Sequence, residues 1–171
     1  MEKVAKKERK RMTKETIPEG FTLLLVIVDI FPVLFFLLAI LLFSKKVYFN
    51  CMIVLGGFIS FLSGIIKIIW KLIVVTKKKN IWWMFVQMRI IMPIGFFILT
   101  LGLIFGWKYF SNIIINASFY SRLFFTLFII SISLLTLFAI KLNSSDLMVN
   151  WLEQIINSIS QSLLCLAIIY L

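Results

Sequence analysis

Histidine is absent from this sequence, and its two cysteines, Cys51 and Cys165, lie far apart in it. Without imidazole or clustered thiols, the usual structural and catalytic zinc sites have no ligand set. The same absences remove Ser-His-Asp and Cys-His nucleophile arrangements. Acidic groups are scarce, seven against eighteen Lys and Arg, and they form no paired-carboxylate motif for general acid-base work. These gaps predict a protein that is not an enzyme, has no catalytic residue, binds no metal and carries no cofactor.

A stretch long enough to fold in water as a second domain is also missing. The chain has 171 residues, is 62% hydrophobic and has a mean hydropathy of +1.08, more apolar surface than one soluble core can bury. Lipid is the solvent this composition demands. Apolar runs over about residues 21–43, 47–75, 81–106, 119–140 and 147–171 each reach the ~20 residues that cross the hydrocarbon. A helix satisfies its own backbone hydrogen bonds, so each run is expected to be helical. The prediction is an all-α, polytopic transmembrane bundle of five spans. It has one membrane domain over 21–171 and a basic tail over 1–20. The intervening loops are short, which predicts that consecutive spans pack as antiparallel neighbours.

The net charge of +11 does not point to nucleic acid. Seven of the eighteen basic residues lie in the first fourteen positions, where they read as a topology signal and as attraction to an anionic cytoplasmic leaflet. Counting the tail, Lys71, Lys77, Lys78, Lys79 and Lys141 gives twelve basic groups on one side, against Lys45, Lys46, Lys108 and Arg122 on the other. The excess predicts a cytoplasmic N-terminus, an external C-terminus and residence in the cell membrane. Trp70, Trp82, Trp83 and Trp151 fall near the expected inner ends of the spans, and Tyr48, Trp107, Tyr109, Tyr120 and Tyr170 near the outer ones.

Ionisable groups inside spans are expensive, about 2.5–3.5 kcal/mol each on insertion scales, and so are functional candidates. Asp29 lies eight residues into the first span, Lys67 eight before the end of the second, Arg89 eight into the third, and Asn157 ten into the fifth. At 1.5 Å per residue these depths agree to within a turn, about 12–15 Å from the inner end. Glu153 sits one turn closer to the cytoplasm, and Lys71 is expected to snorkel to the interface. In the fifth span Asp146, Asn150, Glu153, Gln154, Asn157, Ser160 and Gln161 share one face. The predicted ligand site is Asp29, Lys67, Arg89, Glu153, Asn157 and Gln161. Pro32 and Pro93 lie a turn beyond Asp29 and Arg89 and are expected to act as hinges, each freeing a carbonyl four residues back.

Small residues mark the helix contacts. Gly57, Ser60 and Gly64 form a stripe with Lys67 and Lys71, and Gly102 and Gly106 form a second one in the third span. Two functions remain open on these features. One is a small membrane protein that binds, and by extension transports, a polar or anionic solute or lipid headgroup at a cytoplasm-facing polar layer. The other is a non-catalytic accessory or assembly subunit that docks through its polar fifth helix onto a membrane partner or a second copy. A cavity at the polar layer favours the first. An exposed polar fifth helix favours the second.

Overall fold

The computed structural model describes residues 21–47, 50–141 and 147–171, and every regular element among them is helical. The basic tail, Tyr48 and Asp146 lie outside the described residues, as does the side chain of Lys141. The first apolar run forms α1 (Leu23–Val28) and α2 (Ile30–Lys46), and the second forms α3 (Cys51–Lys77). Then come α4 (Trp82–Phe105), a short α5 (Trp107–Ile115), α6 (Phe119–Lys141) and α7 (Leu147–Ile169). Five helical segments are long and apolar enough to cross a bilayer, so the chain is a multi-pass integral membrane protein.

Local chemistry sets the boundaries. Thr22 Oγ1 accepts a hydrogen bond from the Leu25 amide and Asn50 Oδ1 one from the Met52 amide, so each helix start has one otherwise orphaned donor satisfied. Pro32 has no N–H to offer the Val28 carbonyl, and the helix is interrupted at Asp29. Pro93 leaves α4 unbroken and is exposed. The expected hinge therefore corresponds to a helix break only at Pro32. Residues 44–46, read from sequence as a loop, continue α2.

The spans form a curved row in which α4 packs on α3, α3 on α1 and α2, α2 on α7, and α7 on α6. Paired contacts give the directions. Gly57 meets Ile40 and Gly64 meets Val33, so α2 and α3 run antiparallel. Gly56 meets Leu99 while Ser63 meets Gln87, so α3 and α4 do too. Ser121 Oγ donates to the Ala167 carbonyl at 2.8 Å and Ser118 Oγ to that of Tyr170 at 2.7 Å, which aligns α6 antiparallel to α7. The row thus has a near end, carrying Phe21 and Trp70, and a far end, carrying Val47, α5 and Tyr170.

Two sequence expectations are corrected here. The segment over 107–118, read as a loop, contains the nine-residue α5. That helix separates α4 from α6, and the backbones of these two consecutive spans do not pack against each other among the described residues. Ser60 also leaves the predicted stripe. Gly57 and Gly64 face α2, whereas Gly56, Ser60 and Ser63 face α4. The reason is position: α3 lies between two neighbours and needs a small-residue face for each. At 100° per residue Ser60 is about 40° round from Gly56 but about 60° from Gly57.

Outward faces carry large apolar side chains, among them Phe97, Phe105, Ile115 and Phe119, as a lipid-facing surface requires. Gly102 packs against Ile53 and Met52 of α3, and Gly106 ends α4 where α5 begins.

Candidate functional site

The break at Asp29 turns a buried carboxylate toward α3. Asp29 is 1% exposed, and its two oxygens meet two lysines one turn apart on that helix. Lys71 Nζ lies 2.5 Å from Oδ2, and Lys67 Nζ lies 3.6 Å from Oδ1. These are the ion pairs among the described residues. Lys71 does not snorkel: it is 4% exposed and its ammonium stands 5.2 Å from the centre of the Phe21 ring. The sequence reading failed here because the carboxylate offers Lys71 a nearer partner than the interface does. A buried ammonium without such a partner would be far more costly.

Aromatic packing closes the near end beneath this pair. Trp70, Val74 and Met84 are buried together, with Phe21 and Phe85 against them. The Trp70 indole N–H donates to Asn80 Oδ1 at 3.1 Å, so the ring keeps its polar edge satisfied while sealing the core.

Glu153 approaches from α7. It is half-buried, and both lysines interact with it electrostatically, though neither comes within 4.0 Å. Lys67 is therefore flanked by two carboxylates, bonded loosely to one, with 29% of its side chain open. Asn157 lies one turn along α7 from Glu153 and is half-buried.

Arg89 does not join them. It is exposed, and its guanidinium stacks 4.8 Å from the centre of the Phe85 ring on its own helix. The face of α4 is chosen by Gly95 and Gly102, which lie against α3. Arg89 is about 120–140° round from those glycines. Gln161 is also elsewhere: it lines a cavity toward the far end, where its Oε1 is enclosed without a hydrogen-bond partner. The cluster the structure assembles is thus Asp29, Lys67, Lys71 and Glu153.

One polar pair escaped the sequence reading. Ser63 Oγ donates to Gln87 Oε1 at 3.0 Å, and Gln87 Nε2 donates to the Ser63 carbonyl at 3.3 Å. This reciprocal clasp joins α3 to α4, and both side chains are buried. Its signal was a lone glutamine inside an apolar span, a group that lipid cannot satisfy.

The far-end cavity has a volume of about 870 Å³. Its walls are apolar side chains of α2, α4, α5, α6 and α7, with Ser121, Arg122 and Gln161 the polar residues among them. Cys165 is buried and donates to the Phe35 carbonyl, Cys51 is exposed, and both thiols are free. No group of His, Cys, Asp and Glu suited to a metal ion occurs among the described residues. Comparison of the chain with protein-family models, curated proteins and solved structures finds no match.

Proposed function

We propose that this is a non-enzymatic membrane protein that binds, and moves, a small anionic solute or an anionic lipid headgroup at the Asp29, Lys67, Lys71 and Glu153 cluster. The observation that carries the reading is the two-to-one ratio of lysines to carboxylate at Asp29. Lys71 already provides Asp29 with a close, buried partner. Lys67 is longer in contact and partly open, so its charge is available to an incoming anion. Glu153 is the competing carboxylate the anion displaces, and Asn157 is placed to orient it. The helix break at Asp29 gives α1 a pivot relative to α2, which is how the near end would open.

Docking through the fifth helix receives less support. Asn150, Gln154 and Ser160 are buried within the chain itself, so those polar residues are not offered to a partner.

Binding is tested by the thermal unfolding of purified protein with inorganic phosphate, sulfate and glycerol 3-phosphate, which carries a headgroup phosphate without an acyl chain. A ligand at a hundred times its Kd adds about 2.7 kcal/mol, a rise of several degrees for a chain of this size. Lys67→Met is expected to abolish the rise while unfolding near the wild-type temperature. If no anion shifts the wild type, or if the shift survives Lys67→Met, this cluster is a structural pair only.

The seven basic residues that precede the first span in the sequence support a cytoplasmic N-terminus and an external far end. Cys51 begins α3 at that far end and is exposed, whereas Cys165 is buried. A membrane-impermeant maleimide is therefore expected to modify Cys51 in intact cells and to reach Cys165 only after unfolding. Labelling of Cys51 that requires permeabilised cells would reverse the orientation.

A further inference from the structure

The far-end cavity has dimensions and charge of its own, independent of the Asp29 cluster. Along α6 it runs from Ser121 to Ile132, and along α7 from Gln161 to Ile168, with Leu171 just beyond that helix. At 1.5 Å per residue the α6 stretch is about 16–17 Å long, close to the depth of one leaflet of a hydrocarbon core about 30 Å thick. Its volume of about 870 Å³ lies at the upper end of the range for small-molecule pockets, roughly 300–1,000 Å³. Phe36, Phe96, Phe110, Phe125 and Phe128 contribute rings to the wall. The α4 and α6 backbones stay apart among the described residues, and side chains of both line the cavity between them. An apolar space this large would leave its lining without dispersion partners if it stayed empty.

The charged side chains at this end are of one sign. No acidic residue occurs between Asp29 and Asp146, while Lys45 and Lys46 end α2, Lys108 lies in α5 and Arg122 opens α6. Arg122 is itself part of the cavity wall. One of its nitrogens, Nη2, donates to the Ile115 carbonyl at 3.0 Å, which fixes the guanidinium beside α5. A guanidinium has five N–H donors in all, and the fork suits a phosphate.

We infer that this cavity is a lipid site: one acyl chain of an anionic phospholipid enters between α4 and α6, and the lipid phosphate pairs with Arg122. The apolar depth measures the chain, and the unbalanced positive rim selects the headgroup. α5, lying between α4 and α6 in sequence and lining the cavity, roofs the site at the headgroup level.

The test is native mass spectrometry of the full chain released from detergent with dioleoylphosphatidylglycerol or dioleoylphosphatidylcholine. It is paired with photocrosslinking by a phosphatidylglycerol carrying a diazirine on its acyl chain. Wild type is expected to retain one phosphatidylglycerol and to prefer it about tenfold over phosphatidylcholine, whose phosphate can make the same contact but whose ammonium is repelled by the basic rim. Arg122→Gln is expected to erase the preference while keeping the crosslink. Ile132→Trp, which fills the inner part of the cavity, is expected to reduce the crosslink severalfold, and thermal unfolding in detergent verifies that it folds. Crosslinks should map to α4 and α6 peptides that contain cavity-lining residues. The proposal is overturned if wild type retains no lipid, if crosslinks fall outside the lining, or if folded Ile132→Trp binds as wild type does. It is also overturned if the cavity residues instead hold a second copy, seen as a dimer that Ile132→Trp dissociates.

Discussion

Asp29→Asn is expected to be the most destabilising single substitution of the charged cluster, costing about 3–5 kcal/mol, the range for breaking a buried ion pair by removing one partner. The cost arises on the lysine side. Lys71 is 4% exposed and would remain as a buried ammonium whose nearest counter-charge is the more distant Glu153. A loss of that size lowers the midpoint by about 6–20 °C for a chain of this length. Trp70 fluorescence is a suitable probe, since that ring is buried beside the pair and packs on Phe21.

The other substitutions follow from the same geometry. Lys71→Met leaves Asp29 with Lys67, which is 3.6 Å away and able to close the gap; the expected loss is about 1–3 kcal/mol, that of a poorly satisfied buried group. Lys67→Met is expected to stay within about 1 kcal/mol of wild type, because its partly open side chain contributes on the scale of a solvent-exposed pair. Asp29→Asn combined with Lys71→Met removes both members of the tight pair and should recover most of the loss. A double variant that is as unstable as the sum of the singles would mean that the two groups act independently, and the cluster as described would be lost.

The parts of this fold that sequence reached are those set by composition. Five apolar runs gave five spans because length against bilayer thickness leaves little choice. The meeting of Asp29 with Lys67 was also legible, since equal depth in adjacent antiparallel helices brings them level. Lateral order was not. Short loops imply neighbours, yet Gly106 ends α4 and the chain starts α5, so α6 joins the row beside α7. Rotation about each helix axis was legible only in part. Arg89 shares the depth of Asp29 but lies off the glycine face that packs on α3, and that face decides the outcome. Lys71 was misplaced because snorkelling was weighed without the buried carboxylate next to it. Gln161 shares the polar face of the fifth span with Glu153, yet it falls into an apolar cavity formed by side chains of α2, α4, α5, α6 and α7. No local pattern records a space bounded by segments so far apart in sequence.

The α3/α4 crossing carries the other large expected effect. A Cβ added to Gly56 would overlap the Leu99 amide nitrogen and the Gly95 carbonyl, and one added to Gly95 would overlap the Gly56 carbonyl and the Ser60 amide. The obstacles are backbone atoms, which cannot rotate aside. Ala normally gains about 1 kcal/mol over Gly inside a helix, but overpacking of a fixed contact costs about 1–3 kcal/mol and sometimes more. Forced separation would also strain the Ser63–Gln87 clasp and the 2.9 Å bond from Asn50 Nδ2 to the Gly102 carbonyl, which lie on either side of the crossing. Gly56→Ala and Gly95→Ala are therefore expected to lose about 2–3 kcal/mol each, and the Val variants to fail to yield a monodisperse protein by size exclusion. Gly64→Ala is the control. Its new methyl would meet only the Val33 side chain, at 3.1 Å and beyond, so the helix-propensity gain offsets the crowding and the variant should unfold within about 1 kcal/mol of wild type. Equal effects at Gly56 and Gly64 would show that backbone approach does not set this interface, and the two-faced reading of α3 would then fail.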